Sequence, residues 1–219
     1  MPSQFPTVFA LALLLAIFPS ASPAKDGVVQ CGNLIYAGTA TSYCFSDAFL
    51  SHMQQCTTIP AERRFKSVKL ASEELFGFPF VVMTGQTTFS LSRTEREHLD
   101  RYLHNGGFLL ASAGCSNKDW ARSFRLEMTK MFGAGKLAKI GLDHPIFRTV
   151  HTIENLKLSK GSGYATLEGV QINGKIVVVF SEEGLNDSHK VTGCCCCGGN
   201  EVQNSMEVNA NILAYALLY

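Results

Sequence analysis

Between residues 80 and 133 short apolar runs alternate with capped amphipathic segments, and this rhythm is the tightest constraint on the fold. Phe80-Val-Val-Met83 is an unbroken apolar stretch of strand length, without the polar alternation of a sheet that faces water. Ser92-Arg-Thr-Glu95 then offers a capping box, and Leu99, Tyr102 and Leu103 share one face of the helix that it opens. Asn105-Gly106-Gly107 ends that helix with residues that tolerate positive φ. Phe108–Ala113 is again a buried strand. Asn117 or Ser116 caps a further helix, which carries Trp120, Phe124, Met128 and Met131 at core spacing and stops at Gly133. Strand, helix, strand, helix predicts a mostly parallel sheet with helices over both faces. Such sheets bind ligands at the carboxyl ends of their strands.

The flanking segments extend the pattern. Leu34–Ala37 reads as a strand, Phe45–Cys56 as a helix with Ser46 at its N-cap, and Phe65–Leu70 as a second strand. Leu137–Ile140 is a short strand, and Val170–Phe180 a hairpin that turns at Asn173-Gly174. Ser205–Leu218 is a mostly apolar closing helix.

The amino terminus predicts export. Val8–Phe18 gives eleven apolar residues, short of the roughly 20 that a membrane span needs. Ser22-Pro23-Ala24 follows with small residues where a signal peptidase inspects the chain. No Lys or Arg precedes the run, which departs from the usual signal and keeps an uncleaved anchor or a buried first strand open. Cys31 follows Val-Val-Gln, not the small-residue box of a lipid attachment site. The reading is therefore a signal peptide over 1–24, a single α/β domain over 25–219, and a periplasmic or extracellular destination in a bacterium. A net charge of +1 without a basic stripe leaves nucleic-acid binding no electrostatic footprint. No stable membrane span remains after cleavage, so the expected partner is a small molecule or a metal ion.

Several ordered motifs carry a family resemblance: Phe80-Val-Val-Met-Thr-Gly85, Phe89-Ser-Leu-Ser92, Tyr102-Leu-His-Asn-Gly-Gly-Phe-Leu-Leu110, Asp143-His-Pro-Ile-Phe147, and Asn209 ahead of Tyr215-Ala-Leu217. Together they are similar to the bacterial domain-of-unknown-function family numbered 4159, over most of residues 31–219. The resemblance implies a flavodoxin-like three-layer sandwich, similar in fold to class I glutamine amidotransferases and ThuA-type proteins. It implies no activity.

The chemistry is concentrated in cysteine. Cys194, Cys195, Cys196 and Cys197 are consecutive, with Gly193 before them and Gly198-Gly199 after them. Cys194 and Cys197 have the C-x-x-C spacing that lets two sulfurs face one point, as zinc knuckles and dithiol redox sites require. Thiolates also select Cu(I), whereas mixed Cys and His ligands suit Zn. The run therefore reads as a metal or redox cluster, with His144, His189 or Cys115 as candidate completing ligands. Disulfides to Cys31, Cys44 or Cys56 are the competing reading, because eight cysteines in an exported chain allow more pairings than sequence can sort.

Cys115 supplies the alternative, a cysteine-dependent hydrolase or amidotransferase-like enzyme acting on a small amide, ester or carbohydrate. It lies between a strand and a helix N-terminus, a place that favours an anionic nucleophile. Proline after His144 holds that residue extended, as a base or as a loop cap. The amidotransferase pattern is incomplete here. Ala113 and Asn117 stand where glycines flank its nucleophile, and no His-x-Glu pair follows. His151 is a weaker candidate. Asn200 and Glu201 read as caps of the closing helix or as oxygen ligands, and Glu182-Glu183 as a solvated loop.

Overall fold

The computed structural model describes residues 27–41, 44–188 and 199–219. A seven-stranded, mostly parallel sheet carries four helices among them. In chain order the elements are β1 (Cys31–Ile35), α1 (Ala48–Cys56), β2 (Lys66–Lys69), β3 (Phe80–Gly85), α2 (Arg93–His104), β4 (Phe108–Ala113), α3 (Lys118–Phe132), β5 (Ala138–Lys139), β6 (Leu167–Ile172), β7 (Lys175–Ser181) and α4 (Ser205–Leu218). The strand order is β2-β1-β3-β4-β7-β6-β5. Pairing is parallel from β2 through β7 and antiparallel from β7 to β6 and β5.

Local chemistry places the elements. Ser92 caps α2 through Oγ, which accepts from Glu95 N at 3.2 Å, while Ser92 N donates to Glu95 Oε2 at 2.7 Å. This is the reciprocal box that the sequence predicts. Glu95 Oε1 also accepts from Ala37 N at 2.6 Å, tying the turn after β1 to the start of α2. Asn117, rather than Ser116, caps α3 by accepting from Trp120 N at 2.9 Å. Asn173 (φ 50°) and Gly174 (φ 82°) form the hairpin turn between β6 and β7, with both central residues left-handed as a two-residue hairpin of this twist requires. That turn, in place of a crossover helix, is why β6 runs against β7.

Expected boundaries shift modestly. β1 starts at Cys31, not Leu34, and β6 at Leu167, not Val170. α1 begins after Asp47 and has no side-chain cap, because Ser46 Oγ instead accepts from Ala48 N at 3.1 Å in the turn before the helix.

Alternate side chains of the central strands feed two cores, as period two demands. On one face Phe80, Val82, Phe108, Leu110 and Val179 pack against Phe49, Leu50 and Met53 of α1 and Ile212, Leu213 and Tyr215 of α4. On the other, Val81, Met83, Leu109 and Phe180 meet Leu99 and Tyr102 of α2 and Trp120, Phe124 and Met128 of α3. Each large side chain buried this fully contributes about 1.5–3 kcal/mol. Arg125 on α3 bonds both Glu168 on β6 and Glu182 beyond β7, and lies 4.9 Å over the Phe180 ring. Glu182 is thus an ion-pair partner of Arg125 and Lys118, not a freely solvated loop residue. No helix among the described residues is long and apolar enough to cross a membrane.

Candidate functional site

Register brings the carboxyl ends of the central strands level. Gly85 lies opposite Ala113, and Ser112 opposite Ser181. Gly85 and Gly114 permit close approach at this edge. A Cβ on Gly85 would lie 2.4 Å from both Trp120 Nε1 and Tyr36 Oη, and one on Gly114 would lie 2.9 Å from Gly85 O.

Cys115 stands at the turn from β4 into α3, where the sequence places it. Its backbone is left-handed (φ 52°, ψ 31°), and Ser116 follows at φ 51°. For residues with a Cβ this region costs on the order of 1–3 kcal/mol each, so surrounding contacts must hold the turn in place. Those contacts are visible. Ser116 Oγ donates to Asn200 O and accepts from Asn200 N at 2.9 Å. Gly199 is seated against the Cys115 backbone so closely that a Cβ there would lie 2.4 Å from Cys115 Cα. Gln86 Nε2 donates to Cys115 Sγ at 3.3 Å.

The segment that follows Gly199 is fastened on its other side too. Asn200 Oδ1 accepts from Lys160 N at 2.8 Å, and its Nδ2 donates to Lys160 O at 3.1 Å. Glu201 accepts from Ser188 N and Oγ, and its backbone bridges to Gly184. Neither residue caps α4, whose N-cap is Asn204. Asn200 and Glu201 therefore fix the loop that leads into this edge.

Beneath the edge lies a buried polar network. Asn186 Oδ1 accepts from Ser112 Oγ, and Asn186 Nδ2 donates to Thr84 Oγ1 at 2.9 Å. Ser112 Oγ accepts from Leu185 N at 2.9 Å, and Asn209 Nδ2 donates to Leu185 O at 2.8 Å. Ser46 N donates to Asn186 O at 2.7 Å. The side chains of Thr84, Ser112, Asn186 and Asn209 are all buried. Buried hydrogen-bond networks of this kind rigidify the elements they join, and here the bonds join β3, β4, α4 and the segment after β7.

His144 is elsewhere. It is extended (φ −63°, ψ 141°) as its proline neighbour requires, and Nδ1 accepts from Ile146 N at 3.2 Å. It therefore caps a short 3-10 turn. Its ring lies 5.4 Å from that of Tyr215, whose hydroxyl accepts from Ile176 N at the opening of β7. Cys115 belongs to the opposite end of the sheet, so the length of β7, about 20 Å, separates the two. The pairing of Cys115 with His144 as nucleophile and base is not formed. His144 instead borders a cavity of about 530 Å³ with Lys136, Lys139, Asp143 and Gln171. Burial lowers its pKa, an effect that Asp143 partly offsets.

Cys31 and Cys56 are free thiols, whereas Cys44, the third cysteine considered for a disulfide, is disulfide-bonded. Burial raises the Cys31 thiol to about 12. Cys194, Cys195, Cys196, Cys197 and His189 lie outside the described residues, as does the segment 1–24.

One cluster escapes the sequence reading. His52 and Cys56 on α1 meet His151 from the segment after the 3-10 turn, with every potential ligand atom within 4.8 Å of the others. The His52-x-x-x-Cys56 spacing on a predicted helix was the available signal; its third member is 95 residues or more away in sequence and gave none.

No curated protein matches the chain. The family described as "Domain of unknown function (DUF4159)" matches residues 39–217, which span the sheet from the turn after β1 to the end of α4, and the chain belongs to that family.

Proposed function

We propose that this chain is an exported binding module whose working groups are thiols gathered at the carboxyl edge of the sheet, where they hold a soft metal ion or cycle as a dithiol. The observation that carries the reading is the seat of Gly199 on the Cys115 backbone. Cys197 precedes Gly199 by two residues, and two residues reach no farther than about 7 Å. The cysteine run is thus adjacent in sequence to a residue packed on Cys115. The left-handed turn at Cys115 and the fastening of Asn200 by Ser116 support a site built in advance of its ligand. Cysteine sulfurs suit Cu(I), and a mixed set suits Zn. The strand order β2-β1-β3-β4-β7 supports a flavodoxin-like three-layer sandwich of the class I glutamine amidotransferase-like type, in which this edge is the ligand-binding end. The apolar run Val8–Phe18 and Ser22-Pro23-Ala24 support export.

The test is metal and thiol stoichiometry on protein secreted natively and kept anaerobic. The expected result is near one Zn or Cu per chain at this edge, lost when Cys194→Ser and Cys197→Ser are combined and reduced by Cys115→Ser. Full retention of metal and of redox response in those variants would remove the reading.

A second reading, a cysteine hydrolase or amidotransferase-like enzyme acting on a small amide, ester or carbohydrate, is favoured by the strained strand-to-helix turn that carries Cys115. Its base would have to be a group other than His144. Complete loss of a screened hydrolytic activity in Cys115→Ser, with metal content unchanged, would select it over the first.

A further inference from the structure

Away from the carboxyl edge, α1 and α4 hold a cluster to which neither reading above gives a role. His52 Nε2 and His151 Nε2 are 3.0 Å apart, their rings stacked at 5.0 Å with 16° between planes. Cys56 Sγ lies 3.8 Å from His52 Nε2. Three soft-to-borderline donors therefore converge from two separate segments of chain.

We propose that His52, Cys56 and His151 form a zinc site with one open position. Zinc takes His nitrogen at about 2.0–2.1 Å and Cys sulfur at about 2.3 Å in tetrahedral array. Tetrahedral angles at those lengths put nitrogens about 3.3 Å apart and sulfur about 3.6 Å from nitrogen. The observed 3.0 and 3.8 Å differ from this by a few tenths of an ångström, within a small rotation of the side chains. His52 and Cys56 are one helical turn apart and so share a face. Phe49, Leu50 and Met53 anchor the other face of α1 in the core.

His151 comes from an irregular segment, so something must hold it. Asn211, 1% exposed on α4, does this. Its Oδ1 accepts from Val150 N at 3.1 Å and His151 N at 2.7 Å, and its Nδ2 donates to His151 O at 2.8 Å. A buried amide that spends its whole side chain on the backbone of Val150 and His151 fixes the segment from which this histidine reaches the cluster. Cys56 is exposed, so the fourth position of the tetrahedron opens to solvent and takes water or a small anion.

The proposal uses no residue of the thiol edge, and the two can fail separately. Untagged full-length protein is stripped with chelator and titrated with Co²⁺, then Zn²⁺, alongside a chain in which Cys115 and Cys194–Cys197 are all serine. The expected result is one Co²⁺ equivalent in the serine chain, with thiolate charge-transfer absorption, displaced by Zn²⁺; the intact chain shows the same band, with a further equivalent where the thiol edge also takes metal. Cys56→Ser in the otherwise intact chain deletes the absorption assigned to this site. His52→Gln or His151→Gln weakens Zn²⁺ by more than the roughly 10–100-fold typical of an outer-shell loss, with circular dichroism and melting unchanged. Co²⁺ spectra and Zn²⁺ affinity that ignore all three substitutions would overturn the proposal, as would absence of binding in both chains.

Discussion

The Cys115 turn and the His52–Cys56–His151 cluster place reactive side chains by opposite means. At the carboxyl edge the backbone itself is bent into two consecutive left-handed residues, and a buried network with a close-packed glycine holds it there. On the α1–α4 surface the backbone of α1 is regular, and the cluster forms because a helical repeat meets one pinned loop. The first arrangement stores strain and depends on many residues. The second stores little and depends on few. Damage should therefore spread widely at the edge and stay local on the helices.

Asn186→Ala is the most severe way to break that contrast. It leaves the hydroxyls of Thr84 and Ser112 each short of a partner in a dry site, and should cost about 3 kcal/mol. Chemical denaturation measures this, and a loss below about 1 kcal/mol would show that the network does not hold the edge. Asn211→Ala should cost about 2 kcal/mol, from three lost hydrogen bonds and a small void, and should lower Zn²⁺ affinity together with stability. Stability lost without any change in affinity would separate Asn211 from the histidine that it holds.

Cys115→Gly sharpens the comparison in the other direction. Glycine adopts φ 52° without a Cβ penalty, so the variant should gain about 1 kcal/mol while losing the thiol. Cys56→Ser, on regular helix, should change stability by less than about 0.5 kcal/mol. Equal effects at the two positions would mean that the turn at Cys115 is unstrained.

The smallest effect concerns pH. Burial lowers the His144 pKa, so the unfolded chain binds this proton more readily than the folded one. Stability from this group is present above the unfolded value of about 6.5 and is lost as pH falls through the lower folded value. His144→Gln should remove that part of the acid sensitivity, read as a shallower fall in melting temperature between pH 7 and pH 5. An unchanged slope would assign the sensitivity to other groups.

Much of the architecture was legible because it rests on local signals. The capping box at Ser92 and Glu95, the cap at Asn117, and the left-handed pair Asn173-Gly174 each act within a few residues. β1 was read as starting late because Cys31-Gly-Asn33 lacks the apolar run, and burial there comes from neighbouring strands that no window of sequence contains. Among the candidate residues, the position of Cys115 was legible because it is also local: end of a strand, start of a helix. Its union with Gly199 was not, since that contact joins residues 84 apart. His144 takes the loop-cap role of the two read for it, but its distance from Cys115 was hidden for the same reason. Proline fixed its backbone correctly, but only the packing of Tyr215 decides which end of the sheet it occupies.

The sheet's two outer strands carry a last consequence. β2 offers four residues bracketed by Lys66 and Lys69, and β5 only two, both exposed. A second copy that tried to extend the sheet would find at either border a template too brief to register against, with charge on it. The chain can therefore reach high local concentration without its parallel core propagating into fibres.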